Sequence, residues 1–204
     1  MTQRVVHQEK YPALITTNVK DRVYILDQIE YANLLHRIII EACKLNSYTP
    51  LAFCIMSDHL HLLAARIKDA SVDKDISSAG GDASVDKVIS SAGKDARSGK
   101  NISTLMHSIK SYFSQKLHKD YKFESPFWQP RYNYQVIDSK QRLMNCVEYI
   151  INNHHRAQLP VFFGQHPYLF VNHSAVAKID FNDNIRAGIP ARGLNNPKLL
   201  LNNF

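Results

Sequence analysis

A chain of 204 residues with 45% hydrophobic content suits one domain of ordinary size with extensions, and it has enough apolar side chains for a proper core. Its formal charge of +7 favours a polyanionic partner, with nucleic acid the first candidate. Three scattered cysteines without a Cys-x-x-Cys pair argue against a disulfide frame or a zinc knuckle. With no stretch as long as a membrane span and no signal-like apolar run at the start, we expect a cytoplasmic, nucleoid-associated protein with no membrane partner.

Tyr11 to Val19 is rich in β-branched and apolar residues, which predicts a first strand. From about Asp27 to Leu45, apolar residues at 31, 34, 35, 38, 39, 42 and 45 predict a helix with one buried stripe, capped by Asp27. Leu51–Ile55 reads as a second strand and Ser57-Asp58 as a turn. Residues 59–66 then form a third strand, antiparallel to the second. Side chains alternate faces along a strand, so His59 and His61 share one face while Leu60, Leu62 and Ala64 share the other. Two imidazoles backed by an apolar layer make half of a metal site, although such a pair also arises by chance in a chain with ten histidines.

Residues 69–99 change character: a thirteen-residue unit, Asp69 to Gly81, recurs almost unchanged as Asp82 to Lys94, and a third copy begins at Asp95. This composition cannot bury a core and two copies are too few for a solenoid, so a flexible loop insertion is expected. Ile102, Leu105, Met106, Ile109, Phe113 and Leu117 line one face of a second helix, capped by Asn101 or Ser103. An aromatic, proline-punctuated segment, Ser125 to Arg131, leads into a strand over Tyr132–Ile137. A third helix follows, from Asp138 or Ser139 to about Asn153. The order β-α-β-β-α-β plus one helix predicts an α+β, ferredoxin-like antiparallel sheet with helices on one face. The histidine strand is then an inner strand, with its imidazoles on the open face, where the last helix can dock. After Pro160 periodicity fades, so residues 161–204 are expected to wrap or trail as an extension to a domain of residues 1–160.

On the third helix, Leu143, Cys146, Val147, Ile150 and Ile151 form the apolar stripe. Tyr149, Asn153 and Arg142 share its flank. Two histidines and the Asn153 amide oxygen suit Mg²⁺ or Mn²⁺ with positions left for substrate oxygens. A phenol is a poor nucleophile at neutral pH, but it can exchange one phosphodiester for another when a divalent ion polarises the phosphorus. On these residues alone Tyr149 reads more readily as an amphipathic tyrosine at the edge of the core, and Tyr112 on the second helix is a rival nucleophile. Lys110, Lys116, Arg131, Arg142 and Arg156, interleaved with Trp128 and several tyrosines, form the mixture expected where a protein tracks a strand and stacks unpaired bases.

Taken together, Met56-Ser-Asp-His-Leu-His-Leu-Leu63, Leu105 to Phe113, Phe127-Trp-Gln-Pro-Arg-Tyr132 and Val147-Glu-Tyr-Ile-Ile-Asn-Asn153 closely resemble the REP-associated tyrosine transposases. These belong with the single-strand transposases of insertion sequences in the HUH endonuclease superfamily. The match runs from about residue 10 to 160 without the repeat insertion. The resemblance implies that His59 and His61 are the metal pair, Tyr149 the nucleophile and Asn153 its neighbour at the metal, with Trp128 to Arg131 a structural segment near the DNA. It also implies a single-strand endonuclease and strand transferase that acts at DNA hairpins through a 5′-phosphotyrosine, as a monomer or homodimer. A domesticated protein that binds hairpins without cutting is the alternative; the tyrosine's place after the histidines disfavours a relaxase. Where the family commonly has Asn-Pro-Val, this chain has Asn153-His154-His155, so the helix should run further and His154 or His155 compete as third ligand.

Overall fold

The structure is a computed structural model that describes residues 11–67, 101–123 and 126–181. The predicted repeat insertion and the end of the C-terminal extension lie outside the described residues. Strand β1 (Ala13–Asn18) alternates as expected, burying Ala13, Ile15 and Thr17 on one face. Helix α1 (Ile29–Leu45) buries Leu34, Leu35, Ile38, Ile39 and Ala42. Its N-cap is Gln28, without a side-chain capping bond, and not Asp27. The carbonyl of Asp27 instead accepts the Tyr168 hydroxyl at 2.5 Å, a long-range contact that local sequence does not encode.

Strands β2 (Thr49–Ile55) and β3 (His59–Ala65) form a tight antiparallel pair, with Cys54 opposite His61 and Ile55 opposite Leu60. The register slips between Pro50 and Ala52, where proline has no N–H to give the ladder. Helix α2 (Ile102–Tyr121) starts at Asn101, whose side chain accepts from the Thr104 N–H at 3.0 Å. All six residues of its predicted stripe are buried. Strand β4 (Asn133–Val136) is exposed at the sheet edge. Helix α3 (Lys140–Arg156) is capped by Ser139 and runs past Asn153, as expected for a chain that has no proline there.

Residues 161–181 do not trail. They form a 3₁₀ turn (Val161–Gly164), a fifth strand β5 (Leu169–Val171) and a short helix α4 (His173–Ala177). Phe170 pairs with Phe53 across β2 and their rings stack at 5.0 Å, so two aromatic side chains hold a strand too short to show periodicity. The sheet order is β4-β1-β3-β2-β5 and every pairing is antiparallel. The fold is α+β, with the histidine strand at the centre.

The two faces of the sheet bury different cores. Ile15, Phe53, Ile55, Leu60 and Leu62 pack with Leu35, Ile38, Ile109 and Phe113 of α1 and α2. Cys54, Met56, Leu63 and Ala65 pack instead with Leu143, Val147 and Ile150 of α3. Thus α1 and α2 cover one face and α3 docks on the other, which carries the histidines. No described helix is long and apolar enough to cross a membrane.

Candidate active site

Strand alternation brings His59 and His61 to the α3 face, and helix periodicity turns Tyr149 towards them. The Nε2 atoms of the two histidines stand 3.1 Å apart. The Tyr149 hydroxyl lies 3.2 Å from the same His61 Nε2, with its ring edge-on to the imidazole. Three polar atoms from β3 and α3 of one chain therefore converge on one point.

The opposite ring nitrogens are anchored. His59 Nδ1 donates to Asp58 Oδ1 at 2.5 Å. His61 Nδ1 is 2.8 Å from the hydroxyl of Thr16, its register partner on β1. Burial, with the charges of His59 and Arg22 adding, lowers His61 to about 3, so its ring is neutral at pH 7. A neutral ring that donates through Nδ1 to Thr16 and accepts the Tyr149 proton at Nε2 has its lone pair aimed into the site. A neutral His59 with its proton on Nδ1, towards Asp58, aims its Nε2 lone pair there too.

Such an arrangement fits a shared cation. Adjacent ligands about 2.1 Å from an octahedral ion sit about 3.0 Å apart, close to the separation seen here. Among the described residues no group of three or more His, Cys, Asp or Glu could hold a metal, so a third ligand from these residues would be of another type. Asn153 is the residue on the Tyr149 flank, one turn on. It is buried, its Nδ2 is 3.6 Å from Cys54 Sγ, and its amide also hydrogen-bonds the Tyr149 phenol. The two rival ligands stand elsewhere on the helix. His154 packs its ring against Gly164, where even a Cβ would come within 2.6 Å of Nε2, and the exposed His155 ring lies on it at 3.9 Å.

Burial and the neighbouring Cys54 raise the Tyr149 phenol above its ordinary range, while Arg156 and the Asn153 amide act against them. The Arg156 guanidinium sits 5.7 Å from the centre of the Tyr149 ring. Tyr112, the rival nucleophile, is buried in the α1–α2 core on the opposite face of the sheet. It cannot reach the histidines without unfolding that core.

The candidate DNA-contacting residues divide by environment. Trp128 is only 6% exposed and packs among Phe113 and Phe127, so it is a core residue and not a free stacking platform. Trp128→Ala should cost about 3–5 kcal/mol in urea denaturation, through lost packing. Lys110 donates to the carbonyls of Gln129 and Pro130, which fastens the 127–131 segment instead of presenting a free charge. Lys116 faces Asp120 at 3.6 Å, and Arg142 pairs with Asp138 at 2.8 Å. Arg131 and Arg156 are exposed. The 127–131 segment is bonded to the end of β1, where the Gln129 N–H donates to the Asn18 carbonyl and Asn18 stands opposite His59. Arg131 therefore lies at the histidine end of the sheet.

Asp58, Arg22, Thr16 and Cys54 belong to the site although sequence reasoning did not select them. Thr16 and Cys54 are recognisable only once the register is known. Asp58 adjoins His59 in sequence, but nothing in the sequence singles out Arg22. One consequence concerns pH. An unfolded histidine titrates near 6.5 while His61 in the folded, metal-free protein does not protonate until about 3. The unfolded state binds the extra proton in between, so His61 costs no stability above about pH 6.5 and destabilises the fold as pH drops towards 3. Urea melts across this range should show that slope reduced in His61→Gln.

No family model matches the sequence, and no curated protein matches it. Solved structures do match. A REP-associated tyrosine transposase bound to a REP hairpin shares 17% identity, with a TM-score of 0.55 over 79% of this chain and 76% of that one. A provisionally assigned transposase of Deinococcus radiodurans R1 shares 18% identity, with a TM-score of 0.36 over 70% of this chain and 90% of that one. In fold, this chain is similar to a REP-associated tyrosine transposase.

Proposed function

We propose that this protein is a metal-dependent single-strand DNA endonuclease and strand transferase, with Tyr149 as nucleophile. The observation that carries the proposal is the convergence of the Tyr149 hydroxyl and the two histidine Nε2 atoms within one chain, at 3.2 and 3.1 Å. His59 and His61 would hold Mg²⁺ or Mn²⁺ through Nε2. Asn153, its amide nitrogen engaged with Cys54, would offer its carbonyl oxygen. When bound, such an ion supplies charge stabilisation at the scissile phosphate.

The chain's own residues do the rest. Tyr149 Oη attacks phosphorus, the Oη–P bond forms and the P–O3′ bond breaks. The phenolic proton leaves to solvent and the departing 3′ oxygen takes one up. Reversal with a new 3′ hydroxyl joins strands, because a phosphodiester-type bond is retained throughout. Arg156 beside the ring favours the phenolate that develops, against the burial that disfavours it. The exposed Arg131 would contact backbone phosphates at the histidine end. Because the solved relative in fold was captured with a REP hairpin, a DNA hairpin with a single-stranded flank is the proposed substrate.

The test is incubation of the whole protein with end-labelled hairpin-plus-flank strands and Mg²⁺ or Mn²⁺. A covalent adduct between the protein and the 5′ phosphate of the fragment 3′ to the cut is expected, and chelator should prevent it. Hairpin retention without any adduct would instead leave a protein that binds and does not cut.

A further inference from the structure

The contacts behind His59 continue outwards through charged groups to the protein surface. Asp58 Oδ1 accepts from His59 Nδ1 at 2.5 Å, and its other oxygen, Oδ2, takes Arg22 Nε at 2.6 Å. Arg22 Nη1 donates in turn to Asn18 Oδ1 at 2.7 Å. Asp58 is nearly buried, its side chain 9% exposed, whereas that of Arg22 is half exposed. A buried carboxylate needs partners, and both of its oxygens are used.

The backbone around Arg22 is held in an unfavourable shape. Asp21 and Arg22 both have φ of 57°, the left-handed region that costs a non-glycine residue roughly 1–2 kcal/mol. The turn is pinned from both sides: the Val19 N–H donates to the Asp58 carbonyl, and the Ile25 and Leu26 N–H groups donate to that of Ser57. Strain of this kind persists only where the surroundings impose it. Here it delivers the Arg22 guanidinium to Asp58.

We propose that Asp58, held by Arg22, is a positioning residue that locks His59 in its Nδ1–H tautomer and so directs the Nε2 lone pair at the metal. Imidazole can place its single proton on either nitrogen, and only the form with Nε2 bare can ligate there. A carboxylate behind the ring selects that form, orients the ring and makes the ligating nitrogen more basic. His61 has Thr16 in the corresponding place, a weaker and uncharged partner. The two ligands are therefore unequally supported, with the stronger support behind the less buried His59.

This inference rests on the metal reading of His59 and His61, and the test separates the two. Long-range ¹⁵N correlation spectra of the metal-free protein report the His59 tautomer directly. Mn²⁺ titration followed by electron paramagnetic resonance reports affinity. Wild type should show the Nδ1–H form alone, and Asp58→Ala should lose that preference and weaken Mn²⁺ binding about 10–100-fold. Asp58→Asn, which keeps an acceptor but no charge, should retain the tautomer and recover part of the affinity. Arg22→Gly relieves the strained backbone while freeing Asp58. Relief of strain offsets only part of the lost ion pair, so the urea midpoint should fall. Mn²⁺ binding should weaken several-fold and the Nδ1–H preference of His59 should loosen, a tautomer change that a merely structural role does not produce. An unchanged His59 tautomer in Asp58→Ala overturns the inference. Failure of the wild type to bind Mn²⁺ would overturn the metal reading instead, and the tautomer result would still decide the role of Asp58.

Discussion

Tyr149→Phe should lower formation of the covalent DNA adduct by at least about a thousandfold, because it removes the hydroxyl that stands beside the histidine pair. The phenyl ring keeps its packing beside the α3-face core and its edge-on contact with His61, so only the hydroxyl is removed. That hydroxyl makes a hydrogen bond to His61 Nε2, worth about 1 kcal/mol of stability. The urea midpoint should therefore move little while chemistry disappears. Tyr112→Phe should form the adduct at close to the wild-type level, since that phenol lies across the sheet among α1 and α2. Adduct formation by Tyr149→Phe would place the nucleophile elsewhere.

The two histidines should separate in a way their sequence symmetry conceals. His61→Ala should abolish Mn²⁺ binding within the measurable range, at least about a hundredfold weaker. It should also destabilise the metal-free protein by about 2–3 kcal/mol, because the ring is 1% exposed and its loss leaves a hole between β3 and α3. His59→Ala should lose metal to the same degree but cost less stability, since its side chain is 16% exposed at the end of the strand. Calorimetric melts of the two variants in chelator, beside Mn²⁺ titrations, make the comparison. Equal destabilisation would mean that the difference in burial has no energetic weight, and retained Mn²⁺ affinity in either variant would remove that histidine from the metal site.

The strands and long helices were legible because the features that specify them are local. Side chains alternate along β1 and β3, and the apolar stripe of α2 recurs each turn. These regularities follow from backbone geometry whatever the stripe packs against. Placing His59 and His61 on one face needed only the two-residue period, and Tyr149 above Asn153 needed only the helical one. Strand β5 was not legible because its three residues carry no period; Phe170 stacking on Phe53 holds it. The Asp27 cap failed for a related reason, since its backbone is claimed by Tyr168 from far along the chain.

The residues expected to meet DNA show where local reasoning ends. Trp128 and Lys110 have the chemistry of a nucleic-acid surface, yet one is buried and the other is tied to two carbonyls. By itself the sequence determined which residues share a face, because alternation and helical periodicity are properties of a single segment. Only the tertiary structure decided that the histidine face meets the tyrosine face at hydrogen-bonding distance, that Thr16 and Asp58 stand behind the imidazoles, and which charges are already spent. Those facts depend on register and on which side chains fill the space between layers, and both are set by packing among segments distant in the chain.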